Sequence, residues 1–401
     1  MPDTLIIVAS VVLLVAILSW IIPSGTYDYQ EMNINGRIRN VAIDGTYHTI
    51  DKSEVTTTGF LGFFSVLYRG CVEAADVIFM IICCCGTFGV VVKTGAFHAG
   101  IGTILKKLKG KEILLVPIIM MIFGLGGSVF GMASEFYGFY PLIVGLGVAL
   151  GYDAMFGFAI IAVGEFVGFM GATLNPYSVG IAQTISGVEL YSGTGYRAIC
   201  FVIFMAISII YVMVYGRKIK KNPGASVVFG EKNIHAFDRD ELNEYSFTLK
   251  DGLVLLDVLV VLIVLMLGLI KWGWDFPQLC GLFLLMSMIA AAICKWSPNK
   301  WCSEFIDSAK TAMWGCILTG IAKAITVVMQ DAQIMDTVIY GLSNVLKNAP
   351  HAVSAQVMLV VQTLINFFIP SATGQASATM PIMAQLADII GVSRQTAVLA
   401  F

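Results

Sequence analysis

The chain has 401 residues, of which 58% are hydrophobic and 12% charged, with a formal net charge of −2. Together with a mean hydropathy of +0.85, this excludes an ordinary soluble domain and implies a polytopic, all-α membrane protein. The small net charge says little about partners, because the distribution of Lys and Arg between loops matters more; a lipid bilayer is the expected surroundings and no nucleic-acid partner is expected.

A spanning helix needs about 20 predominantly apolar residues. The first is predicted from Thr4 to Pro23; it lacks a basic flank before it and a small-residue cleavage signal after it, so it reads as a retained helix rather than a signal peptide. The loop Ser24 to Thr58 carries Asp28, Glu31, Asp44, Asp51 and Glu54 against Arg37, Arg39 and Lys52, which places it outside and the N-terminus in the cytoplasm. Gly59 to Arg69 is short and amphipathic, as an interfacial segment is, and Cys71 to Val92 should cross inward. Lys93, Lys106, Lys107, Lys109 and Lys111 then mark a cytoplasmic side.

Between Glu112 and Leu150 two apolar arms flank a polar tip, Gly127-Ser-Val-Phe-Gly131-Met-Ala-Ser-Glu135. Gly-Leu-Gly-Gly at 124–127 is expected to break the helix, giving a re-entrant hairpin that enters from the cytoplasm. Ala154 to about Ile185 reads as one discontinuous span, because Pro176 lacks a backbone donor and disfavours helical geometry at Asn175. Ala198 to Tyr215 returns inside, where Arg217, Lys218, Lys220 and Lys221 lie. Residues 1–221 thus form a first half, 222–250 a cytoplasmic linker and 251–401 a second half. Spans are predicted at Leu253 to Ile270, Phe276 to Cys294 and Phe305 to Met329, then an outer segment from Gln330 to Pro350, whose only basic residue is Lys347 against Asp331 and Asp336. A second hairpin follows at about Val353 to Ile390. The second half is expected to lack its own broken span and so to be incomplete at its C-terminus.

The second hairpin carries Ser371-Ala-Thr-Gly374-Gln-Ala-Ser-Ala-Thr-Met-Pro381, which shares a Gly-x-Ala-Ser core with the first. Pro141 precedes Gly151 by the same ten residues as Pro381 precedes Gly391. Matched tips reached from opposite faces point to inverted repeats that meet around a midplane site. The competing reading is a helix bundle in which Gly and Ser merely permit close packing; small-residue packing by itself does not dictate matched prolines or opposed loop charges.

Three segments resemble the YfcC family: Gly171-Ala-Thr-Leu-Asn-Pro-Tyr-Ser-Val-Gly-Ile-Ala-Gln183, Val327-Val-Met-Gln-Asp-Ala-Gln-Ile-Met-Asp336 and Pro370-Ser-Ala-Thr-Gly-Gln-Ala-Ser-Ala-Thr-Met-Pro-Ile382. Its relatives include the anaerobic C4-dicarboxylate carriers and the aminobenzoyl-glutamate transporters. The resemblance implies an elevator-type inverted-repeat transporter with a scaffold domain and a transport domain, usually a homodimer in the cytoplasmic (inner) membrane. For this branch it implies an antiporter that exchanges basic amino acids, arginine against ornithine.

Candidate substrate contacts follow from chemistry at membrane depth. A buried carboxylate there is costly and needs a partner, which makes Glu135 the first candidate for a cationic substrate group and Glu165 the second. The competing roles are a backbone hydrogen bond for Glu135 and a helix-packing hydrogen bond for Glu165. Ser128, Ser134, Thr173, Asn175, Ser371, Thr373, Gln375, Ser377 and Thr379 supply neutral donors and acceptors suited to an α-amino acid. Lys323 reads as the structural partner of an acid. Cys83-Cys84-Cys85 faces three sides of one helix, so no metal cage or disulfide framework is expected, and no cofactor.

A C4-dicarboxylate or other small-carboxylate carrier coupled to H⁺ or Na⁺ is the alternative substrate class. A channel would need a filter sequence that is not seen. An enzyme would need a nucleophile with a base or clustered metal ligands, whereas His48, His98, His235 and His351 lie in loops or near membrane ends.

Overall fold

In the computed structural model each long apolar run forms a helix, because a backbone in lipid must satisfy its own hydrogen bonds. The structure describes residues 3–34, 37–108, 112–230, 247–347, 353–369 and 371–401. Most of the linker at 222–250, the lysines at 109 and 111, and Pro350 and Pro370 lie outside the described residues. Six helical stretches among the described residues are long and apolar enough to cross a membrane: Thr4–Ile21, Ala75–Lys93, Thr194–Lys221, Leu249–Gly268, Phe276–Ile293 and Pro298–Asp331. They fall where hydropathy predicts them. Their ends carry local signals, such as the Asp275 and Thr248 capping boxes that start Phe276–Ile293 and Leu249–Lys271.

Packing divides the chain into two units, Met1–Ala75 with Thr173–Arg197 and Ile317–Phe401, and Asp76–Ala172 with Ala198–Cys316. Each draws on both sides of the linker. Sequential halves and packed units are therefore different partitions of this chain.

The first unit has a core of Val12, Val15, Val66, Val327, Val328 and Ile334. The loop predicted to lie outside is not irregular: Ser24–Thr26 pairs antiparallel with His48–Ile50, and Tyr29–Ile34 with Arg37–Ala42, in the register Ser24↔Ile50 and Tyr29↔Ala42. The Asp336 carboxylate accepts from the Tyr27 amide at 3.0 Å and the Tyr29 hydroxyl at 2.8 Å, which fixes these strands to the start of the helix Met335–Lys347. The segment predicted as interfacial is a helix, Phe60–Glu73. Two further helices, Ser354–Phe368 and Ala372–Ile389, form the arms predicted for the second hairpin.

The second unit is built on a core that includes Phe88, Phe123, Phe136, Phe156 and Phe283. Both arms of the predicted first hairpin, Leu115–Leu125 and Tyr140–Ala149, pack against Ala154–Met170. Contact is backbone-close: a Cβ at Gly168 would run into the Gly124 carbonyl oxygen. This corrects the expected position of the break. Gly-Leu-Gly-Gly at 124–127 does not interrupt the helix but carries it through one π-helical turn, Gly126–Phe130, because the glycines are used for close packing. The chain turns at Gly131, whose φ of 68° is left-handed and favours glycine.

Candidate functional site

The predicted contact residues divide between the two units. In the second unit the turn at Gly131 leads into a 3-10 helix, Ser134–Phe139, with Glu135 in its first turn. Glu135 is 8% exposed and its Oε2 accepts from the Ala133 amide at 2.9 Å, so the carboxylate folds onto the backbone that opens the turn. Glu165 is 4% exposed, and its Oε2 accepts from the Tyr140 hydroxyl at 3.2 Å. Among the described residues neither carboxylate forms an ion pair with Lys or Arg. Two buried acids with only neutral donors constitute an electron-rich pair able to receive a cation. Ser128 is buried and donates to the Gly171 carbonyl at 3.0 Å, holding the end of Ala154–Met170. Of Ser134 only the backbone is described.

In the first unit the chain is unwound from Thr173 to Ser178, and the helix Val179–Ile185 follows. The predicted break at Asn175-Pro176 is present. Asn175 is fully buried, and its Oδ1 accepts from the amides of Tyr177 at 2.9 Å and Ser178 at 3.2 Å. Its side-chain oxygen thus closes a turn on the two amides that precede the following helix, a positioning task beside the substrate contact expected from the sequence. Thr173 is buried, and its carbonyl accepts from Thr194 Oγ1 at 3.3 Å.

The second set of predicted residues belongs to the same unit and is engaged within it. Ser371 caps Ala372–Ile389 by accepting from the Gly374 amide at 3.2 Å. Ser377 donates to the Thr373 carbonyl at 3.0 Å and Thr379 to the Gln375 carbonyl at 2.8 Å, one turn back. Gln375 Nε2 donates to the Gln362 carbonyl and side-chain oxygen at 3.0 and 2.9 Å, and Gln362 Nε2 donates to Thr379 at 3.2 Å. Gln362, missed from the sequence, joins the two helical arms. Thr373 Oγ1 donates to the Tyr177 carbonyl at 3.0 Å, which brings the second break to the first within this unit. Lys323 is half-buried and forms no ion pair among the described residues, so the expected acid partner is not found.

A second missed group surrounds the loop after Val179–Ile185. Gln183 is fully buried; its Nε2 donates to the Ser192 carbonyl at 2.9 Å and its Oε1 accepts from the Tyr191 amide at 2.6 Å. Arg197, in the first turn of Thr194–Lys221, is 4% exposed. A stretch of polar loop followed by arginine reads as a flank in sequence; only tertiary packing buries it.

A family model described as DcuC, C4-dicarboxylate anaerobic carrier, matches residues 1–401. The Escherichia coli K12 protein named "Putative basic amino acid antiporter YfcC" is 31% identical over all of this chain and 86% of its own length. An uncharacterized protein of Haemophilus influenzae is 28% identical over the same shares. Among solved structures, the Alcanivorax borkumensis YdaH transporter, described as having an unusual topology, aligns with a TM-score of 0.43 at 13% identity over all of this chain and 86% of its own. Neisseria gonorrhoeae MtrF, described within a class of antimetabolite efflux pumps, aligns at 0.44 and 15% over all of this chain and 84% of its own.

Proposed function

Because the chain belongs to the C4-dicarboxylate anaerobic carrier family, and is a polytopic membrane transporter, we propose that it exchanges basic amino acids, arginine against ornithine, across the cytoplasmic membrane. The observation that carries this reading is the pair Glu135 and Glu165, buried and without a cationic partner among the described residues. Keeping both as carboxylates costs desolvation that a guanidinium or ammonium offsets by charge-assisted hydrogen bonds. Glu135 is the preferred partner of the substrate's cation, Glu165 the second, and Tyr140 holds Glu165 in place. Asn175 and Ser371 fix the backbone at the two breaks of the first unit. Alternating access by an elevator-type movement of inverted repeats, in a homodimer, completes the proposal.

A dicarboxylate substrate is the second reading, favoured by the family's description and by the buried Arg197. The two separate in competition binding on the purified chain with arginine, ornithine, citrulline and succinate. Arginine and ornithine should outcompete citrulline by tenfold or more, and Glu135→Gln should erase most of that preference. Succinate displacing arginine at lower concentration would reject the basic amino-acid reading.

A further inference from the structure

Around Arg197 the first unit holds more hydrogen-bond donors than acceptors. The Ser192 carbonyl receives three of them: Gln183 Nε2 at 2.9 Å, Gln395 Nε2 at 2.9 Å and Arg197 Nη2 at 2.7 Å. A carbonyl oxygen offers two lone pairs. Arg197 Nε and Nη1 are buried and have no hydrogen-bond partner. Nearby, Arg394 spends its Nη1 on the Ser186 carbonyl at 2.9 Å and its Nε and Nη2 on Asp388, so that acid is already taken.

The loop that carries Ser192 is held in this shape by left-handed residues at Gly187, Tyr191 and Gly193, with φ of 66°, 58° and 68°. Tyr191 is the uncommon one, since a non-glycine side chain pays for that conformation. Beside it is a cavity of 340 Å³ lined by Gly193, Tyr196, Arg197, Gln395, Thr396 and Leu399. Its volume is that of a small-molecule site. The wall is apolar at Leu399 and Tyr196, and its one charged group is the arginine.

A buried guanidinium with unused donors at Nε and Nη1 demands an anion, and a carboxylate meets it through charge-assisted hydrogen bonds. We propose that this cavity binds the carboxylate group of a small organic acid or amino acid, with Arg197 as its partner and the Gln395 amide beside it. The proposal rests on the reading of the chain as a carrier of small carboxylate-bearing solutes, and not on the choice of arginine. A carboxylate in the cavity satisfies the Arg197 donors that the Ser192 carbonyl, already shared by three, does not.

The test is direct calorimetric binding on the full chain in detergent, with succinate, arginine and agmatine, which is arginine without its carboxylate. Arg197→Gln should weaken succinate and arginine by tenfold or more and leave agmatine within twofold. Arg197→Lys, which keeps charge but not the guanidinium's several donors, should fall between. Leu399→Trp keeps the arginine and fills the cavity, so it should weaken the same two ligands even if Arg197→Gln fails to fold. Unchanged succinate and arginine affinity in the Arg197 and Leu399 variants, or an equal loss for agmatine, would reduce Arg197 to a structural cation and overturn the proposal. Arg197-dependent binding of succinate by a parent that ignores arginine would sink the basic amino-acid reading alone. A parent that binds no carboxylate at all overturns both.

Discussion

The two predicted hairpin tips share a Gly-x-Ala-Ser core and are built to opposite ends. At the first, Gly131 turns the chain and the next acidic residue, Glu135, folds onto the backbone, with Glu165 buried on the neighbouring helix. At the second there is no acid, and Gln362, Gln375 and Thr379 satisfy one another between the two arms. The same four-residue signature therefore sits at a turn in one case and inside a helix in the other, and the residues around it decide whether charge is left over. Leftover charge is available for chemistry; mutually satisfied amides hold helices together.

That contrast can be broken most sharply at the acids. Replacing both, Glu135→Gln with Glu165→Gln, should lower arginine affinity on the order of a hundredfold, about 2.7 kcal/mol, as loss of a buried charge partner does. Citrulline should change by less than threefold in the same competition assay. Equal loss for both ligands would mean that the acids shape the site rather than read charge. At the second break the effect should move from affinity to stability. Gln375→Leu leaves the side-chain oxygen of Gln362 buried without the Gln375 donor, which costs about 1–3 kcal/mol and should appear as a lower thermal midpoint with arginine affinity kept within twofold. Adding Gln362→Leu should recover part of the loss; if arginine binding collapses instead, the second break contacts substrate.

The smallest difference lies at the matched glycines. Gly131→Ala places a side chain on left-handed backbone and should cost about 1–2 kcal/mol. Gly374 is inside a helix, and a Cβ there would meet Ser371 at an ordinary 3.4 Å, so Gly374→Ala should be neutral or stabilising by up to about 1 kcal/mol. Thermal midpoints of the two variants compare them directly.

What the sequence made legible follows the physics of each signal. Spans were readable because lipid imposes length and hydropathy on every crossing helix. The break at Asn175 was readable because proline removes a donor wherever it stands. The first turn was misplaced because glycine permits both a break and a close helix contact, and at 124–127 the second use prevails. The strands in the outer loop escaped notice although Asn35-Gly36 between two short runs is a hairpin signal; they are short and polar, and composition alone spoke louder. Arg197, Gln183 and Gln362 were invisible as a class, since burial of a polar side chain and the partners it finds are decided by tertiary packing. Both acids were legible because a carboxylate inside an apolar run is conspicuous without any fold.

The hydrogen bond from Thr373 to the Tyr177 carbonyl has a kinetic consequence. It ties an unwound segment, which by itself would exchange its amide hydrogens quickly, to the first turn of a long helix, which would not. Opening either one exposes a carbonyl or a hydroxyl that the other had satisfied. The amides of 177–180 and of 373–376 should then exchange with deuterium at a shared opening rate, and Thr373→Val should uncouple the two rates. A hydroxyl on one break would thus act as a clutch that sets how far the other can unwind alone.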